Sequence, residues 1–191
     1  MRSEQAIEHI ISRLRNELPE NLRYHCLEHT IQVVNAARYI ASVEGLPEDE
    51  IDILATAAAY HDCGFLLTYQ NHEELGSEIA EEALPQFGFT AVQINSIKEL
   101  IMATKVPQNP KSMAAKVLCD ADLDYLGGNN YETIARGLYD ELVLNGFDMS
   151  EEKWQNTQIK FLESHNFWTD FAIQNRAPQK AELLAKLKEG L

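Results

Sequence analysis

Residues 53–64 read Ile53-Leu54-Ala55-Thr56-Ala57-Ala58-Ala59-Tyr60-His61-Asp62-Cys63-Gly64. The run from Ile53 to Tyr60 is almost entirely small or apolar, so a helix here is buried on most sides. Pro47 opens it, and Glu48, Asp49 and Glu50 fill its first turn, where acids favour the positive end of the helix dipole. Its far end is out of keeping with the rest. A histidine and an aspartate buried there unpaired cost several kcal/mol by desolvation. One cation satisfies both.

Outward from this segment the chain reads as helix after helix. Ser3 is the expected N-cap of a first helix, with Ile7, Ile10, Ile11, Leu14 and Leu18 on one face before Pro19 stops it. A second helix is expected over residues 26–42 and a fourth over 72–84, stopped by Pro85 and Gly88. The fifth begins after Thr90, and the sixth spans 112–126, ended by Gly127-Gly128. Helices over 131–145, from Ser150 onward and after Pro178 to the end complete the pattern. No stretch alternates with period two, and no repeat of fixed period occurs. The expected fold class is all-α: one helical bundle over 1–191, with a core at about 20–130 and 131–191 as a C-terminal helical extension packed on it.

Charge narrows the partners. Thirty acidic residues against sixteen basic ones give a formal charge of −14, which repels long nucleic acids and anionic membranes. A small anion remains acceptable where a divalent cation reverses the local potential. Three cysteines, Cys26, Cys63 and Cys119, show no C-x-x-C spacing and fit a reducing compartment. The amphipathic N-terminus has no apolar targeting core, and no transmembrane span is expected. A soluble, cytoplasmic protein is the expectation.

Metal-competent side chains are concentrated. His25 and His29 lie four apart, roughly 6 Å between Cβ atoms on one helix face. His61-Asp62 follows, and Asp120, Asp122 and Asp124 crowd the sixth helix. Imidazole nitrogen with carboxylate oxygen suits Mn, Fe, Co, Mg or Zn without choosing among them. One ligand from each of several helices is how bundles build such sites.

The elements Tyr24-His25-Cys26-Leu27-Glu28-His29-Thr30, His61-Asp62-Cys63-Gly64 and Cys119-Asp120-Ala121-Asp122-Leu123, in this order and each on a helix, resemble the HD superfamily of metal-dependent phosphohydrolases. The resemblance covers about residues 20–130. It implies an all-helical fold and His29, His61, Asp62 and Asp122 as ligands of one divalent metal ion, with Asp120 as an alternative to Asp122. It places His25 where some relatives keep a general acid for the leaving oxygen, and it lets Asp62 orient or deprotonate the attacking water. His72 opens a stretch similar to the helix that supplies a second-metal ligand in binuclear relatives. Where those relatives add another histidine, this chain reads Ile101-Met102-Ala103-Thr104, so one metal is expected and His72 becomes a contact for substrate. Lys105 is a candidate phosphate partner. The implied substrate is a small soluble phosphoester or phosphoanhydride, a nucleotide or a relative of one.

Two other readings compete. The same site can serve a non-catalytic ligand-sensing or regulatory module, although no output domain or coiled coil is evident in the 191 residues. His25-Cys26-Leu27-Glu28-His29 also matches H-x-x-E-H, the inverted zinc-peptidase pattern, with Glu28 as base. That reading leaves His61, Asp62 and Asp122 without a role. The cysteines are expected to pack beside the site, and Phe167, Trp168 and Phe171 to form a core for the last helices. Neither monoester against pyrophosphate cleavage nor the oligomeric state is legible here.

Overall fold

The computed structural model describes residues 1–189, and among them the chain forms ten α-helices and no strand. These are α1 (Ser3–Glu17), α2 (Leu27–Val43), α3 (Glu48–Tyr60), α4 (His72–Ala83), α5 (Ala91–Ala103), α6 (Met113–Asp122), α7 (Tyr131–Leu144), α8 (Glu151–Ser164), α9 (Asp170–Asn175) and α10 (Ala177–Glu189). The all-α expectation holds. Gly190 and Leu191, the end of the expected last helix, lie outside the described residues.

The greasy helix sits where its composition demands. In α3 every residue from Leu54 to Tyr60 is buried, and the helix packs against α1, α2, α5 and α6. Alanines let those neighbours approach closely, while Leu54, Tyr60, Ile97, Ile101 and Leu118 supply the apolar bulk. Full burial of each large apolar side chain contributes about 2 kcal/mol. Caps set the outer helix starts: Thr90 and Gln93 form a reciprocal capping box at α5, and Ser112, Ser150 and Thr169 accept main-chain N–H bonds at α6, α8 and α9.

A second apolar cluster joins α7 to α10, with Leu123, Leu126, Tyr131, Trp154, Leu162 and Phe167 inside it. Phe171 touches both clusters, and its N–H donates to Glu44 Oε1 at 2.8 Å. The Arg176 guanidinium grips Asp124, with Nε 2.7 Å from Oδ1 and Nη2 3.2 Å from Oδ2.

Several boundaries differ from expectation. Arg2, not Ser3, is the N-cap of α1; its N–H donates to Phe87 O at 3.0 Å, which starts the helix one residue early. The sixth helix ends at Asp122, and Asp124–Gly127 tighten into a 3-10 turn. The tighter winding brings Gly127 against Arg176, where a Cβ would lie 2.5 Å from Arg176 O. Helix α4 likewise gives way to a 3-10 turn over Leu84–Phe87, because Pro85 has no N–H to continue it. Helix α9 is not legible from periodicity, being six residues long. No described helix is long and apolar enough to cross a membrane.

Candidate metal centre

Three helices deliver the cluster. His29 lies in the first turn of α2, His61 caps the C-terminal end of α3 with Asp62 following, and Asp122 is the last residue of α6. His29 Nε2, His61 Nε2 and an Asp122 oxygen can all be enclosed within 4.8 Å of one another. Asp122 Oδ1 lies 3.2 Å from His29 Nε2 and 3.6 Å from His61 Nε2. Asp62 Oδ2 lies 3.1 Å from His61 Nε2 and 3.5 Å from His29 Nε2.

The hydrogen bonds show what this arrangement lacks. His61 is fully buried, and its Nδ1 sits 2.7 Å from Ala58 O. A carbonyl only accepts, so Nδ1 carries a proton, and Nε2 is the ring nitrogen that faces the carboxylates. His61 Nε2 and Asp62 Oδ2 are both buried without a hydrogen-bond partner. Burial opposes charge on His61, yet Asp62 and Asp122 raise its pKa well above the ordinary imidazole value, so positive charge is favoured at this point. Burial opposes ionisation of both carboxylates, yet the imidazoles outweigh it: Asp62 is held well below the usual carboxylate range and Asp122 at about 2. The centre is therefore an anionic hole lined by nitrogen and oxygen donors, and it fits a divalent cation.

Asp120 and Asp122, two residues apart, diverge completely. Asp120 is fully buried and accepts from Trp168 N at 3.0 Å, Thr169 N at 2.8 Å and Thr169 Oγ1 at 2.7 Å. It clasps the start of α9 and faces away from the imidazoles.

His72 reaches the far edge of the centre. Its Nε2 is 3.6 Å from Asp62 Oδ1 and 3.5 Å from Glu73 Oε1. Gly64 permits this approach, since a Cβ there would lie 1.9 Å from His72 O. Burial lowers the pKa of His72, against the pull of Asp62 and Glu73. Lys105 is not brought to the cluster: its ammonium pairs with Glu74 instead. A groove of 1080 Å³ runs past Glu74, Ser77, Lys98 and Lys111 and touches none of the cluster residues.

His25 stands beside the cluster, its ring centroid 6.2 Å from that of His29 and 5.9 Å from that of His72, with Phe65 stacked on it at 4.2 Å. Burial disfavours its charged form, but the Glu141 carboxylate more than compensates and raises its pKa. Glu28 is exposed, so the H-x-x-E-H segment does not assemble a peptidase base beside its histidines.

The residue that sequence reasoning missed is Glu141 on α7. It is fully buried. Oε2 accepts from Tyr24 N at 2.8 Å and His25 N at 3.0 Å, while Oε1 faces His25 Nδ1 at 2.5 Å and the Tyr69 hydroxyl at 3.0 Å. A signal existed: Ile134, Leu138 and Glu141 recur at i, i+4 and i+7, so the acid interrupts an apolar stripe.

The basic side chains of the last helices are engaged away from the cluster. Arg176 binds Asp124, and Lys180 donates to Leu162 O and His165 O. His165 lines a separate 190 Å³ pocket with Leu123, Phe161 and Trp168. The Cys63 and Cys119 thiols are buried and donate to Gly76 O and Ala103 O, as packing cysteines do. Burial, reinforced by the Lys180 charge, lowers the His165 pKa to about 4. The unfolded chain protonates this ring near 6.5, so its contribution is full above that pH and is lost as pH falls towards 4. Between pH 7 and 4 the natural protein is expected to lose about 3 kcal/mol more stability than His165→Gln, read by urea denaturation. Parallel losses in both proteins would remove the ring as the source.

The helices of this all-α bundle thus bring two imidazoles and two carboxylates together as nitrogen and oxygen donors that could hold a cation. The family model of the HD domain matches residues 26–124. The chain belongs to the HD domain family. No curated protein matches it. Among solved structures, it is similar to a predicted HD superfamily hydrolase from an uncultured Thermotogales bacterium, 24% identical, over 95% of this chain and 89% of that one, with a TM-score of 0.64. Bacillus subtilis YpgQ in complex with ADP is 18% identical over 99% of this chain and 97% of its own, with a TM-score of 0.65. A further YpgQ structure gives 17%, 100%, 98% and 0.66. At these identities the likeness is one of fold.

Proposed function

We propose that this protein is a metal-dependent phosphohydrolase that cleaves a phosphoester or phosphoanhydride bond in a small soluble substrate, a nucleotide or a related phosphate, in the cytoplasm. One observation carries the reading: His61 Nε2 and Asp62 Oδ2 face each other, buried and unpartnered, with His29 and Asp122 completing the donor set. Family membership supports it, and the ADP complex of the similarly folded YpgQ makes nucleotides the first substrates to try.

His29, His61, Asp62 and Asp122 would hold one divalent ion. Such an ion supplies Lewis acidity towards water and phosphoryl oxygen alike. The protein's own groups do the rest. Asp62 Oδ1, turned away from the imidazole pair towards His72, orients the attacking water. In this reading His72 touches the substrate and His25 protonates the leaving oxygen. Phosphoryl transfer asks mainly for positioning and charge neutralisation, and this centre offers both.

Phosphate and pyrophosphate release from a panel of nucleotides and sugar phosphates, with and without Mn(II), tests the reading. Metal-dependent release that vanishes in Asp62→Asn is the expected result. No release from natural protein shown to carry metal would favour the ligand-sensing alternative.

A further inference from the structure

We propose that Glu141, supplied by the C-terminal extension, is the positioning residue that fixes the His25 tautomer, holding a proton on Nδ1 and leaving Nε2 to exchange protons with the substrate. This rests on the phosphohydrolase reading above. It adds a residue outside the matched family segment and assigns each ring nitrogen its task.

The argument is one of donors and acceptors. Both main-chain N–H groups, of Tyr24 and His25, point at the same carboxylate oxygen, Oε2. That position must therefore be an oxygen. The other oxygen faces His25 Nδ1 and the Tyr69 hydroxyl. An ionised carboxylate only accepts, so Nδ1 is the donor. Nε2 is left as the free ring nitrogen, on the edge turned from Glu141, while stacking on Phe65 limits rotation of the ring. As the bond from phosphorus to the leaving oxygen breaks, the electron pair stays on that oxygen, which takes the Nε2 proton. The ring becomes neutral, keeps Nδ1–H on Glu141, and regains a proton from solvent.

The isosteric amide discriminates this from a purely structural role. In Glu141→Gln the two main-chain donors keep the amide oxygen at the Oε2 position, which puts the NH₂ group opposite Nδ1. Nδ1 must then accept, and the neutral ring carries its proton on Nε2. Main-chain bonds are retained while the tautomer is inverted.

Spectra of the full ¹⁵N-labelled protein with Mg(II), recorded at alkaline pH where the ring is neutral, read the tautomer. His25 is assigned by the signal missing in His25→Gln. The natural protein is expected to show Nδ1–H and Glu141→Gln to show Nε2–H. With p-nitrophenyl phosphate and the nucleotide panel in Mn(II), kcat of Glu141→Gln is expected to fall about 10²- to 10⁴-fold with KM nearly unchanged, as isosteric loss of the carboxylate does in other carboxylate–histidine pairs. Glu141→Asp, which keeps an acceptor-only group, recovers part of kcat. A neutral His25 ring that carries its proton on Nε2 in the natural protein overturns the proposal even if the variants fail to fold, as does an unchanged kcat beside an inverted tautomer. If the natural protein releases nothing from any probe, the hydrolase reading fails, while the spectra still decide what Glu141 does to the ring.

Discussion

Asp62→Ala is expected to lower bound metal from about one ion per chain to near zero, and hydrolysis by about 10³-fold or more, since a bound cation contributes several kcal/mol to the transition state. Asp62 Oδ2 and His61 Nε2 are the orphaned polar atoms of the cluster, and the two neighbours of Oδ2 are the imidazole nitrogens that would share the ion. Stability should split by condition. In excess Mn(II) the natural protein gains about 2.7 kcal/mol at a hundredfold excess over Kd, and the variant gains none. In chelator the order narrows or reverses, because the variant no longer buries a second carboxylate beside Asp122. Metal analysis with melting curves in both buffers reads all three effects. Unaltered metal content, in this variant and in His61→Ala, would sink the site assignment. A reproducible value near two ions in the natural protein would instead give His72 a ligand's role.

Asp120→Ala is the counterpart, with stability as the large effect. Its carboxylate serves three donors, Trp168 N, Thr169 N and Thr169 Oγ1, and each would be left buried and unpaired at about 1–3 kcal/mol. Water entering a loosened α9 offsets part of this, so a net loss of about 3–5 kcal/mol is expected in urea denaturation. Metal content should stay near one ion per chain. Burial raises the Asp120 pKa to about 6 against its hydrogen bonds from Thr169 and Trp168, the behaviour of a clasp and not of a ligand. Metal lost from Asp120→Ala at unchanged stability would exchange the roles of Asp120 and Asp122.

The order of helices was legible because most carry their own signals: Thr90 and Gln93, Ser112 and Ser150 are local caps, Pro47 is a local start and Pro85 a local stop. The candidate metal centre was legible because the residues that converge there sit in short, ordered motifs. Asp120 against Asp122 was not, since a spacing of two residues says nothing of which one a distant backbone will claim. The backbone in question belongs to α9, too short to show a period. Glu141 was missed for a related reason. Its partners, Tyr24 and His25, are more than a hundred positions away, and only the packing of the extension on the core unites them. Lys105 looked available as a lone cation after α5; its neighbour across the fold, Glu74, had no reason to stand out.

The segment matched by the family model ends short of both members of the His25–Glu141 pair. Residues 26–124 contain every proposed cation ligand, whereas His25 lies just before that segment and Glu141 beyond it. The proposed cation ligands thus all lie within the matched family core, and the proposed acid–base pair lies outside it. Under that proposal, a change in α7 would retune protonation of the departing group without touching any residue proposed to hold the ion. Within such a lineage, an intact ligand set alone is a poor guide to which bonds a given member breaks.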